Sequence, residues 1–91
     1  MSRRIVKKIL PEYFELIASG KKRYEFRVAD FAVEEGDVLV LEEWDSADPE
    51  TRKPTGRVIE KEVDFVKKFD LDVFGQKEAL EENGFYILQL K

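Results

Sequence analysis

The chain has 91 residues, 43% hydrophobic and 12% aromatic, which suits one modest core and predicts a single domain over residues 1–91. Cysteine and histidine are both absent, which excludes a Ser-His-Asp triad, a cysteine nucleophile, a zinc finger, a haem or iron–sulfur site and a disulfide framework. With 16 Lys+Arg against 20 Asp+Glu the net charge is −4, and general acid–base chemistry falls to Glu, Asp, Lys and Tyr.

Residues 4–10 read as a short first strand. Pro11 then opens a helix to Ser19, with Glu12 and Glu15 near its positive end and Tyr13, Phe14, Leu16 and Ile17 as its apolar stripe. Gly20 stops it. From Arg23 to Val28 the pattern alternates strictly, which predicts a strand with Tyr24, Phe26 and Val28 buried and Arg23, Glu25 and Arg27 on the other face. Residues 34–37, Glu-Glu-Gly-Asp, read as a turn, and Val38 to Trp44 as a central strand, apolar on both sides. A loop from Asp45 to Gly56 holds Pro49 and Pro54. Arg57 to Val66 is a further strand with Ile59, Val63 and Phe65 on one face. Residues 67–75 carry no clear pattern, Gln76 to Glu82 read as a short helix, and Phe85 to Leu90 as a last strand. Tyr24, Phe26, Phe14, Phe65 and Phe85 are the expected aromatic core. The order predicts an α+β fold, a small, strongly bent mixed sheet or open barrel of about five strands plugged by one main helix.

The apolar runs fall far short of the ~18 residues of a membrane span, and the basic start Arg3-Arg4 precedes no signal-peptide core. A cytoplasmic protein without membrane contact is expected. Charged residues reach 40%, against roughly 25% in an average domain, and point to a heat-adapted surface. The charge is uneven. Residues 1–27 carry eight basic groups against Glu12, Glu15 and Glu25, a net of +5, while the remainder is strongly acidic. Such a body repels phosphate over most of its surface, is poorly suited to indiscriminate nucleic-acid binding, and can still steer an anionic ligand to one place.

The stretch that carries chemistry is Gly20-Lys21-Lys22-Arg23-Tyr24-Glu25-Phe26-Arg27, a G-x-K-x-x-E-x-R pattern. Leu10-Pro11-Glu12-Tyr13-Phe14, the run Gly36 to Asp45, Thr55-Gly56-Arg57 and Gly84-Phe85-Tyr86-Ile87-Leu88 accompany it in order. In these residues the chain resembles the ASCH family, relatives of the PUA-like RNA-binding domains, and within it a small single-domain subgroup of phage-related genomes with no assigned activity. The resemblance covers nearly the whole chain. It implies a PUA-like β-barrel with a cleft beside the first helix, lined by Lys22, Glu25 and Arg27, and binding of RNA or a nucleotide. It also brings in a hydrolase branch that deacylates a modified cytidine with a motif Lys, a Thr on the following strand and a distant Glu. Here Arg23-Tyr24-Glu25 follow Lys22 without a Thr, and Ile5 stands near where the subgroup often has a His.

Read by themselves, the same residues leave two roles open. The planar fork of Arg27 suits a phosphate or carboxylate, and Glu25 on the same face serves equally to hold Arg27 in an ion pair. Lys22 serves as helix-end cap or as charge stabiliser, with Glu25 the candidate base if there is one. Trp44 is either a stacking face for a base or a lid on the barrel end. Arg57 is either a cleft residue or a surface charge, and Asp45, Asp48 and Glu50 read as a solvated loop, since their spacing is not that of an EF-hand. The leading expectation is therefore an RNA- or nucleotide-binding module in which Lys21, Lys22, Arg23, Glu25, Arg27, Arg57 and Trp44 contact the ligand. It needs no cofactor or metal, and works as a monomer or weak dimer. The alternative is a small amidohydrolase acting on an acylated nucleoside with Lys22 and Glu25 as catalytic residues. A protein-interaction role for the acidic face is the third.

Overall fold

The computed structural model describes residues 2–72 and 75–91. Five elements follow one another: β1 (Arg4–Ile9), α1 (Pro11–Ala18), β2 (Val38–Trp44), β3 (Pro54–Glu62) and α2 (Lys77–Asn83). Part of the unassigned stretch 67–75 lies outside the described residues. The strands form one open sheet in the order β1-β2-β3, with β1 parallel and β2–β3 antiparallel.

β2 is central because its sequence lets it be. Leu39, Val40 and Leu41 are buried in succession, so both of its faces are covered. The parallel register runs from Arg4 opposite Val38 to Ile9 opposite Glu43, and the connection that a parallel pair requires includes α1. Proline at the first helical position starts α1, and Phe14 and Ile17 turn its apolar stripe onto the sheet. Ile9, Phe14, Ile17, Leu39 and Leu41 form the core, with Ile5, Ile59 and Val63 packed against it.

Two backbone devices place the later site. At the end of α1, Gly20 takes φ 80°, and the Lys22 N–H returns to the Leu16 carbonyl at 2.9 Å. That turn, which a side chain at Gly20 would strain, sets the start of 22–27 against the helix end. The expected turn at 34–37 is held by Asp37, which is 2% exposed. Its carboxylate accepts the backbone N–H of Arg3 at 2.9 Å and of Glu34 at 2.8 Å, and the Arg3 guanidinium at 3.0 Å. These donors hold the Asp37 pKa below its ordinary value, the Arg3 backbone bond first.

The structure departs from several expectations. The α+β class is as expected, but among the described residues the sheet has three strands and is not closed, and a barrel of about five strands is not seen. Residues 23–28 and 85–90 run without a strand ladder. Within 23–28 the two faces are reversed: Phe26 is 61% and Val28 79% exposed, Tyr24 is also exposed, and Glu25 and Arg27 are the half-buried ones. Alternation sets which residues share a face and leaves open which face turns inward. Here Glu25 is neutralised by flanking cations, and the aromatic face stays largely exposed, with a tilted contact of Phe26 with Phe85 at 5.7 Å between ring centroids. Of the expected aromatic core, Phe14 alone is buried, and Phe65 and Phe85 are exposed. β3 begins three residues early, at Pro54, and ends at Glu62, which leaves Phe65 beyond the sheet. α2 runs one residue later than expected and stops at Gly84.

Candidate functional site

Lys22, Glu25 and Arg27 come together. The Lys22 ammonium donates to Glu25 Oε1 at 2.9 Å, and Arg27 Nε donates to Glu25 Oε2 at 2.9 Å. One carboxylate thus bridges two cations, each oxygen serving one. The three side chains are largely shielded from water, Glu25 most of all. Arg27 reaches further, with Nη2 donating to the Lys8 carbonyl of β1 at 2.8 Å, while Nη1 makes no hydrogen bond among the described residues. The ammonium of Lys22 lies over two aromatic rings, 5.3 Å from the centroid of Tyr13 and 5.1 Å from that of Tyr24. Lys22 is therefore occupied by an anion and two π-faces rather than by helix-end carbonyls. The cluster carries one net positive charge beside two tyrosines.

Concavity lies next to this cluster rather than within it. A cavity of about 360 Å³ is lined by Lys7, Arg27, Phe26 and Phe31, among others, and is bounded by β1 and residues 26–31. No residue of α1 lines it, and a cleft between the first helix and residues 23–28 is not seen among the described residues. Lys7 places its ammonium 3.7 Å from the Phe31 ring centroid there.

The other residues expected at the site fall elsewhere. Lys21 and Arg23 are exposed, and their main chain pairs with a side chain: Arg23 N–H donates to Gln89 Oε1 at 3.0 Å, and Gln89 Nε2 donates to the Lys21 carbonyl at 2.9 Å. The amide of Gln89 so stands in for one rung of a strand ladder, tying 21–23 to 85–90. Trp44, at the end of β2, has the Lys8 ammonium at 4.9 Å and the Arg52 guanidinium at 5.5 Å from its ring centroid. Its indole N–H points to Glu42 Oε1 at 3.4 Å.

Arg57 is neither a free surface charge nor part of the Lys22 cluster. Its Nε and Nη2 donate to Glu43 at 2.9 and 2.6 Å, Nη2 also meets Glu15 at 2.6 Å, and the guanidinium covers the Phe14 ring at 4.4 Å. Thr55 Oγ1 donates to the same Glu43 at 2.5 Å. A bulge makes this possible. Glu42 pairs with Val58 and Trp44 with Pro54, so Thr55, Gly56 and Arg57 all stand opposite Glu43, with Gly56 at φ 94°. Glu43 is 3% exposed, and hydrogen bonds from Arg57 and then Thr55 lower its pKa from 4.5 to about 2. The same bonds, Glu43 first and Glu15 second, raise that of Arg57. This clamp joins α1 to β2 and β3. Sequence reasoning missed Glu43 and Glu15, and the Thr-Gly-Arg triplet was the one signal that a bulge stood there.

Comparison with known proteins adds the family. Over 37 residues the chain is 51% identical to the "Uncharacterized 12.9 kDa protein in GpA 3'region" of Escherichia phage P2, a match covering 41% of this chain and 34% of that protein. The matched stretch thus spans about a third of that relative's length. No solved structure matches significantly. The ASCH domain matches residues 8–88, a span that holds the Lys22 cluster, the Arg57 clamp and the bulge, and the chain belongs to the ASCH family within the PUA-like superfamily.

Proposed function

We propose that this chain binds single-stranded RNA or a nucleotide at the Lys22–Glu25–Arg27 cluster, as one ASCH domain acting in the cytoplasm as a monomer or weak dimer. The observation that carries the reading is the bridging carboxylate of Glu25. It presets two cations, each held at 2.9 Å in a charge-assisted bond, while Arg27 Nη1 stays available to a phosphate oxygen. Tyr13 and Tyr24 offer faces for a base, and exposed Lys21 and Arg23 add positive charge at the rim. Arg57 enters as the residue that orients α1, and contact with the ligand is assigned to the Lys22 cluster instead. The finer fold is part of this proposal: a five-stranded, PUA-like barrel with residues 23–28 and 85–90 as its further strands is supported by the Gln89 bridge and the Phe26–Phe85 contact.

A deacylase reading has less support, because Lys22 already holds Glu25 and two rings and no Thr follows it. RNA binding is tested by anisotropy titration with a panel of labelled short RNAs at low salt. Arg27→Ala should weaken binding about tenfold or more, the worth of a charge-assisted hydrogen bond, with the melting midpoint as a control on folding. Undetectable binding by the wild type, or no change in Arg27→Ala, ends the proposal.

A further inference from the structure

A second cavity, about 160 Å³, opens where β1 and β2 both end, and Lys8, Leu10, Trp44, Ala47 and Arg52 are among its lining residues. Its place follows from the parallel pairing, since the carboxyl ends of neighbouring parallel strands leave a crevice. Trp44 and Lys8 project to the same face of the sheet, and the loop after β2 folds back to bring Arg52 over the indole. That loop is tied by its own acids: Asp45 accepts the Lys53 N–H at 2.8 Å, Asp48 accepts the Glu50 N–H at 3.0 Å, and the Asp48 carbonyl takes the Arg52 N–H at 2.9 Å. So Asp45 and Asp48 are spent on the backbone, and no carboxylate lines the cavity among the described residues. Glu42, outside the lining, receives the indole N–H at 3.4 Å and so sets the ring's tilt.

We propose that this cavity is a base-stacking subsite for one nucleotide of a single-stranded RNA, with the base on the Trp44 indole and its phosphate held by Lys8 and Arg52. The proposal rests on the RNA-binding reading and extends it. The two sites meet at one residue, for the Lys8 carbonyl holds Arg27 while the Lys8 ammonium lies over Trp44. A strand crossing from the Lys22 cluster past Lys8 arrives at Trp44. The volume is below the ~300 Å³ at which pockets for drug-sized ligands begin, so it takes a base and leaves sugar and phosphate outside, where the two cations stand. Stacking of a base on an indole outweighs an exposed cation–π contact, so the base displaces the cations from the ring and their charge passes to the phosphate. An apolar peptide side chain is the rival occupant, and the two flanking cations give it nothing to pair with.

Trp44 is the single tryptophan of the chain, so its emission reports the site alone. The full-length protein is titrated at low salt with labelled hexauridylate and with a hexamer of the same backbone lacking bases, following anisotropy and tryptophan emission together. Hexauridylate should quench Trp44, and the abasic hexamer should not. Trp44→Ala should weaken hexauridylate binding about 5- to 100-fold and leave the abasic hexamer unchanged, whereas Trp44→Phe keeps a stacking face and most of the affinity. Arg52→Ala should weaken both ligands. Hexauridylate that binds in an Arg27-dependent way without moving Trp44 emission, and with Trp44→Phe and Trp44→Ala both at wild-type affinity, overturns the subsite and leaves RNA binding standing. Absence of any binding by anisotropy overturns both.

Discussion

Glu25 and Glu43 are each held between donors, one at the rim and one under α1, and their surroundings set different tasks. Glu43 meets Thr55 and both arms of the Arg57 fork, and with its side chain 4% exposed it has no room for a ligand. Glu25 spends one oxygen on each of two cations that line the approach from solvent. The difference is measurable in acid. The folded pKa of Glu43, about 2, lies below its ordinary 4.5, so its contribution to stability is complete above pH 4.5 and is lost as pH falls toward 2. Asp37 shifts in the same direction. Thermal melts across this window should show the midpoint falling steadily. Glu43→Gln should be less stable than wild type at pH 7 and lose less of its midpoint on acidification; parallel curves would show that Glu43 does not carry the effect. Glu25 was legible in the sequence because its partners stand two and three residues away. Glu43 was not, because its partners come from a bulge on another strand and a turn of helix far earlier in the chain.

At the scale of elements, β2 bears the structure. It pairs on both edges and supplies Leu39 and Leu41 to the core beneath α1. Leu41 is 1% exposed, and Leu41→Ala should cost about 2–4 kcal/mol, lowering the melting midpoint by roughly 10–25 °C. A loss of only a few degrees would mean that the sheet relaxes into the space. β2 could be read from its unbroken apolar run, and α1 from its proline, stripe and glycine, because those signals are local. Residues 23–28 show the limit of such signals. Their alternation is regular, yet the ionic face turns inward, since Glu25 is neutralised by Lys22 and Arg27 and Arg27 in turn finds the Lys8 carbonyl on β1. The direction of a face depends on what lies across from it, and that partner is distant in sequence.

For the whole molecule, charge distribution governs what can approach. A net charge of −4, with an excess of positive charge confined to the first 27 residues, restricts phosphate contacts to a short track. Two or three phosphates on Lys22, Arg27 and the Lys8–Arg52 pair give a slope of about −1.4 to −2.1 in log K against log salt for a single strand. Titrations from low to moderate salt check this, and a slope much steeper would place RNA along a longer basic surface than the one described. The amino-acid sequence was sufficient for β1, α1, β2, β3 and α2, to within a few residues at their ends, for the charge asymmetry, and for the local grouping of Lys22, Glu25 and Arg27. Those follow from periodicity, turn chemistry and spacing within a few residues. The packing of the folded chain alone assigned Arg57 to a clamp with Glu43 and Glu15, and Arg52 and Lys8 to Trp44. It also lined the cavity beside Arg27 with β1 and residues 26–31 rather than with α1. Each of these joins groups separated by many residues, and their meeting depends on strand register, a bulge and a loop closure that no short stretch of sequence encodes.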